Sequence, residues 1–234
     1  MVYNQVFLPP SPWLILMTFE LTAEQQALVD RVRAAVAAGP TLESLKSLLQ
    51  REAVPTTLVV EEVSMTDAGL GAQLGFSALA TGTPSPVQAL PGLIGSEEAL
   101  ARVGGEANSL RARLVVAAVA LGVGRAAIAH ALAAMKTAGV RPGPDEQAPH
   151  WVIADSATEV EAARMVTYRA AQALDHNESG AAVLIARAKA FAANAAEHAA
   201  DAAIRMEGPG GYVRGGLLER LTRDARTLAV ILER

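Results

Sequence analysis

The stretch from Leu110 to Met135 constrains this chain more than any other. It is a run of Ala, Val and Leu long enough to span a bilayer, yet Arg111, Arg113, Arg125 and His130 interrupt it. Charges at that frequency are costly in hydrocarbon, so the segment reads as a helix buried among other helices. The sequence supplies the neighbours. Residues 150–174 contain ADSATEVEAARMVTYRAAQA (Ala154 to Ala173), Ala-rich with one charged face. Residues 181–206 continue the helical pattern until the Gly-rich turn MEGPGGY at 206–212 stops it. Residues 217–233 form the last helix. Short connections at 137–149 and 175–180 join the segments, which predicts a four-helix bundle over 106–234.

Composition supports an all-α fold. Hydrophobic residues make up 51% but aromatics only 4%, so the apolar content is mostly Ala, Leu and Val. The net charge of −4 carries no electrostatic footprint for nucleic acid. The absence of cysteine excludes disulfides, thiol catalysis and Cys-ligated zinc, and suits a cytoplasmic setting. His130, His150, His176 and His198 show no metal-ligand spacing, so no metal site is expected. His150 and Trp151 read as packing residues near a helix start.

The front of the chain predicts a second, smaller helical region over 17–105, preceded by a poorly ordered extension at 1–16. Thr22 and Gln25 form a capping box ahead of Leu28, Val29, Val32 and Val36, and Gly39-Pro40 ends that helix. Thr41 caps a second helix bearing Leu45, Leu48 and Leu49, which Pro55 is expected to break. LVVEEVSM at 58–65 fits strand or helix equally by periodicity. Residues 67–79 read as helix, 81–91 as loop, and Ser96 begins a short helix. Gly122-Val-Gly124-Arg-Ala-Ala127 matches a dinucleotide-binding fingerprint, with Asp145 downstream. Helix follows helix after it, so the two glycines are read as points where a neighbouring helix comes close.

Three stretches carry a family resemblance in the right order and spacing: ARLVVAAVALGVGRAAIAHALAAMK, ADSATEVEAARMVTYRAAQAL, and the Gly-rich turn with YVRGGLLERLTRDAR. Residues 110–226 resemble the C-terminal helical domain of acyl-CoA dehydrogenases. The opening MTFELTAEQQ at 17–26, and VEEV at 60–63 followed by TDAGLG at 66–71, resemble that family's N-terminal helical domain. The family places a β-barrel between these two domains. Here only Ala101 to Ser109 lies between them, and no run of alternating strands occurs elsewhere in the chain.

The resemblance implies FAD as cofactor and α,β-desaturation of an acyl-CoA as reaction. A glutamate takes the α-proton, and the barrel helps hold the flavin ring and thioester. The usual base lies eight residues beyond the Asp of RDA, here Asp224, which places it at Leu232. Glu233, one residue later and about 100° around a helix, is the catalytic candidate. A second location for the base in some members falls on Ala112. On the cofactor side, Lys136 stands where an Arg meets the pyrophosphate, Gly139 replaces a packing Phe, and Gln147 matches. Arg205 stands for a Gln, Pro209 for a Gly, and Gly208, Gly211 and Tyr212 match. Read structurally, Arg223, Asp224 and Arg226 form a surface ion-pair cluster. These features predict a shortened subunit that does not desaturate acyl-CoA alone and works with itself or with a full-length acyl-CoA dehydrogenase subunit. An active FAD-dependent dehydrogenase is one alternative. A flavin-free acyl-CoA-binding or scaffold protein, with a cleft between its helical parts, is the other. No nucleic acid or membrane partner is expected.

Overall fold

A computed structural model of the chain describes residues 21–39, 41–77, 79, 106–137 and 147–231. The extension at 1–16, the loop at 81–91, the short helix at Ser96, and Gly139, Asp145, Leu232 and Glu233 lie outside the described residues. Eight α-helices are described: α1 (Ala23–Ala37), α2 (Leu42–Lys46), α3 (Ala53–Ser64), α4 (Ala68–Ser77), α5 (Glu106–Thr137), α6 (Gln147–Asp175), α7 (Ala181–Glu207) and α8 (Leu217–Val230). A 3-10 turn, Gly208–Tyr212, joins the last two. The described residues contain no strand, so the fold is all-α as the sequence predicts.

Helices α5 to α8 form the bundle, and α7 packs against all three others. Its buried face is almost pure alanine: Ala188, Ala192, Ala195, Ala196, Ala199, Ala200 and Ala203. These recur at helical spacing, and their methyl groups let neighbouring backbones approach closely. Helix α5 is long and apolar enough to cross a membrane, but 78% of its most apolar window is buried inside the fold. Helix α8 turns Leu218, Leu221, Ala225 and Leu228 into the same core.

The N-terminal helices pack on one side of this bundle, with α3 against both α5 and α6. LVVEEVSM, ambiguous by pattern, lies wholly in α3 apart from its last residue, and Leu58 to Ser64 are all buried. Helices α1, α4, α5 and α6 all pack against α3, so no polar face is left to reveal its period. Pro55 opens α3 instead of ending α2. It is the third residue of α3, where its missing N–H falls among donors that have no intrahelical partner. Pro149 is likewise the third residue of α6, which starts three residues earlier than its apolar pattern suggests.

The two ends of α3 are each fastened to the bundle. The carboxylate of Asp175, at the end of α6, accepts from the Ala53 and Val54 backbone N–H groups at 2.6 and 3.0 Å. This is an N-cap supplied from the distant end of another helix, and α3's own Glu52 provides none. At the other end, Gly122 of α5 meets the last turn of α3. A Cβ there would lie 2.5 Å from the Ser64 Cβ and 2.6 Å from the Glu61 carbonyl oxygen. The fingerprint-like glycines are therefore helix-crossing residues, Gly124 likewise facing Val160 and Ala196.

Candidate functional site

A cluster of buried charge lies where α1, α3, α5 and α6 converge. Glu61 is fully buried and Glu62 is 6% exposed. One Glu61 oxygen accepts from Arg125 at 2.5 Å and from Arg164 at 2.9 Å, and the other accepts from the Tyr168 hydroxyl. Glu62 accepts from Arg33 at 3.0 Å and from Arg125 at 2.8 Å. Burial alone would raise the Glu62 carboxyl, but hydrogen bonds and charge from Arg33 and Arg125 outweigh it and hold it below its ordinary value. Burial would lower the Arg125 and Arg164 guanidiniums, yet the Glu61 charge beside them holds both above the usual range. Burial, and then the Glu61 charge, push the Tyr168 phenol well up. Two carboxylates thus meet three guanidiniums, with Arg164 also lying 5.2 Å from the Tyr168 ring centre. Glu61 spends both oxygens on internal donors and has no exposed surface, so it cannot take a proton from a substrate.

The residues expected on the cofactor side gather at the end of the bundle where α5 and α7 finish and α6 begins. Lys136 and Gln147 are both exposed, in the last turn of α5 and the first turn of α6. Between these ends lies a recess of about 650 Å³, whose lining includes Met135, Thr137, Pro149, Met206 and Glu207. His130 Nε2 stands 3.4 Å from Glu207 across it. Arg205 and Tyr212 face a different groove, about 700 Å³, between the end of α7 and α8. Its other cations are partnered: Arg223 with Glu219 at 3.4 Å, and Arg226 with Asp201 at 3.7 Å and Glu197 at 3.8 Å. Arg205 is exposed, donates to the Asp201 carbonyl at 3.1 Å and pairs with the Asp201 carboxylate at 3.9 Å. The structure therefore does not bring all six residues into one pocket.

The two turn glycines have separate local causes. Gly208 has φ +71, which an L side chain rarely adopts, and it ends α7. A Cβ on Gly211 would lie 2.9 Å from Ile204 Cγ1 and 3.1 Å from its carbonyl oxygen, so this glycine permits close packing under the turn. The Tyr212 ring is thrown outward and is 63% exposed. Exposed cations, an exposed ring and a turn with open space beside Gly208 suit the anionic adenylate end of a dinucleotide. Among the described residues no comparable arrangement suits the reactive end. Ala112, at one of the two positions where the resemblance puts a base, offers a methyl group with 1% exposure.

Some sequence expectations shift. Asp224 is 1% exposed, so RDA is not a surface cluster, though Arg226 is a surface ion-pair residue. Trp151 is 63% exposed, where packing was expected. Lys189, unremarked in the sequence, is buried and donates to the Ala229 carbonyl at 2.8 Å, near the end of α8. Among the described residues no group of three or more His, Cys, Asp or Glu could hold a metal ion.

Comparison with known proteins follows the same outline. The family model for the acyl-CoA dehydrogenase C-terminal domain matches residues 107–231. An acyl-CoA dehydrogenase of Bacillus subtilis (strain 168) is 37% identical over 126 residues, which are 53% of this chain and 33% of that protein. The caffeyl-CoA reductase-Etf complex subunit CarC of Acetobacterium woodii is 33% identical over 121 residues, 50% of this chain and 31% of that protein. The chain thus matches about a third of the length of these curated relatives. A solved glutaryl-coenzyme A dehydrogenase, in complex with glutaryl-CoA, is similar in fold with a TM-score of 0.69. That similarity has 18% identity, covering 92% of this chain and 93% of the other.

Proposed function

Since the chain belongs to the acyl-CoA dehydrogenase family, we propose that it is a shortened subunit that does not desaturate acyl-CoA by itself and acts in an oligomer with itself or with a full-length relative. The observation that carries this reading is Ala112. By the resemblance it stands on α5 where some members carry the base; it is 1% exposed and has no group that can accept a proton. The nearest buried carboxylate pair, Glu61 and Glu62, is consumed by Arg33, Arg125, Arg164 and Tyr168. A missing positioned base costs roughly 10²–10⁴-fold in rate.

FAD supplies hydride-accepting chemistry in this family. In this reading the chain contributes only to the adenylate end of a shared site. Lys136 and Arg205 offer charge, Tyr212 offers a stacking face, and Gln147 offers an amide, all from exposed positions at one end of the bundle. Arg205 and Tyr212 line one groove and Lys136 and Gln147 lie outside it, which is consistent with a site completed by a second subunit. The relative from Acetobacterium woodii bears the name of a subunit in a complex, which supports assembly as a theme.

The deciding measurement is the absorbance spectrum of the purified chain near the flavin bands, alone and mixed with a full-length relative, alongside dye reduction with an acyl-CoA. A colourless, inactive chain whose Lys136→Ala and Tyr212→Ala variants lower the FAD content of the mixed complex is the expected result. A yellow chain that reduces dye unaided would sink the proposal.

A further inference from the structure

Helices α1 to α4 have an apolar core of their own. Leu28 and Val32 of α1, Leu45 of α2, Val59 and Val63 of α3, and Leu74 of α4 form one buried cluster without a member from α5 to α8. Two kinds of contact join this layer to the bundle. Val60 and Phe76 belong instead to the core cluster that α5 to α8 share. The hydrogen bonds from α3 to the bundle are accepted by three carboxylates. Asp175 takes the Ala53 and Val54 N–H groups. Glu61 takes Arg125 of α5 and Arg164 and Tyr168 of α6, and Glu62 takes Arg125. Other charged groups surround this joint. Arg33 of α1 faces Glu62, and Glu161 of α6 stands 3.6 Å from Arg164. Arg220 of α8 donates to the Thr66 carbonyl and lies 3.9 Å from Asp67, while α4 carries no charge. Between the bundle's own helices the buried joints are largely apolar. Its His198–Glu159 and Arg226–Glu197 pairs lie nearer the surface, and Asp224 is buried in it.

We propose that this joint is a conformational switch: when Glu61, Glu62 and Asp175 lose their charge, α1 to α4 swing off the bundle as a unit before the bundle itself unfolds. Neutral carboxyls leave their partners charged, because a guanidinium keeps its proton. The Arg125 and Arg164 side chains are only 18 and 24% exposed. Each would then be a buried charge without a counter-ion, which is costly. Moving α3 aside hydrates both at once and leaves the alanine face of α7 packed. The layer keeps its own apolar cluster as it moves, so this partial opening disrupts less than complete unfolding. The start of α3 also loses its carboxylate cap. What the opening uncovers is the face of α3 and α4 that carries Val60 and Phe76. Burial works against the Glu62 charge, but Arg33 and Arg125 hold its carboxyl below the ordinary range. Its share of the joint is therefore present above the ordinary glutamate value and lost in the acid limb, below pH about 4. The joint needs neither flavin nor a partner subunit.

The chain has no cysteine, so single thiols can report on each part of it. Val60→Cys lies at the joint, Val32→Cys in the cluster of the layer, and Val160→Cys inside the bundle against Gly124. The rate at which a dithiodipyridine labels each buried thiol in the full chain measures how often that part opens. At neutral pH, where Asp224 keeps its charge, Glu61→Gln with Asp175→Asn removes two of the three charges. Labelling at Val60→Cys should then rise by roughly tenfold or more, with Val32→Cys and Val160→Cys within about twofold of their rates without those changes. Equal acceleration at all three sites would mean that the chain opens as a whole, and would overturn the proposal. Acceleration at Val60→Cys and Val32→Cys together would mean that the layer unfolds instead of moving as a unit, and an unchanged rate at Val60→Cys would mean that the carboxylates do not hold the joint. Either result also overturns it. If the double substitution does not fold, the same three thiols in a chain with its native carboxylates decide the matter as pH is lowered. Val60→Cys should become reactive at a higher pH than Val160→Cys, and a coincident onset refutes the switch. These rates do not depend on flavin content in the mixed complex, so the two readings fail separately.

Discussion

Glu61 is a fully buried carboxylate on which three side chains from two other helices, Arg125, Arg164 and Tyr168, converge. A neutral Glu61→Gln keeps the shape but removes the charge that two half-buried guanidiniums face. Breaking a buried ion pair by removing one partner costs about 3–5 kcal/mol. Urea denaturation of Glu61→Gln should therefore show a loss of that order, and a loss below about 1 kcal/mol would mean that the cluster adds no stability. Glu62 makes a separate prediction about pH. Its folded value is depressed by Arg33 and Arg125, so the unfolded chain takes up the proton first as pH falls. Its contribution is present above the ordinary glutamate value, about 4.3, and is lost as pH drops through the lower folded value. The melting temperature of the wild type should fall more steeply below pH about 4 than that of Glu62→Gln, and parallel acid limbs would refute this. Neither role was legible in LVVEEVSM. The partners of the two adjacent glutamates arrive from 29 to 107 residues away. No local period encodes that distance.

At the scale of elements, the sequence was most informative where periodicity and end signals coincide. The capping box of Thr22 and Gln25 is formed with both reciprocal hydrogen bonds, at 3.2 and 3.0 Å. The alanine face of α7 was readable because its small residues repeat at helical spacing. Helix α3 was not, because a helix buried on several sides has no polar stripe to reveal its period. Pro55 misled for a related reason: proline marks the first turn of a helix as readily as the end of the one before. The packing of α3 on α5 is set by the absence of a side chain at Gly122. Gly122→Ala would push a methyl group against backbone atoms, the Glu61 carbonyl oxygen at 2.6 Å and the Met65 nitrogen at 2.9 Å. Backbone cannot step aside as a flexible side chain can, so overpacking should cost about 1–3 kcal/mol. Thermal denaturation should show this loss, although alanine is the better helix former by about 1 kcal/mol. A Gly122→Ala protein as stable as the wild type would mean that the crossing is looser than the structure places it.

The whole molecule was legible as a bundle because its core is built from local helical patterns, and three motifs in order identified the family. The candidate cofactor side was legible only as a set of residues: that Arg205 and Tyr212 share a groove while Lys136 and Gln147 stand outside it depends on how the helix ends come together. The same end of the molecule frames the question of assembly. Helix α6 leaves Trp151, Val152 and Met165 exposed at 63, 45 and 43%. Trp151 and Met165 lie about 40° apart around the helix, on the side away from the buried Ile153 and Val160. Large aromatics in such positions are the side chains that most often anchor an interface. In the oligomer proposed above, Trp151 is the residue most sensitive to association. The chain has two tryptophans, and a Trp13→Phe background makes emission report on Trp151 alone. Raising the concentration, or adding a full-length relative, should shift that emission to the blue as the indole leaves water. Trp151→Lys should lower the mass measured by light scattering without altering helical content, because its side chain contributes little to the core. If the wild type stays monomeric at every concentration, with red-shifted emission in the presence of the relative, the exposed face of α6 is not the contact through which this chain assembles.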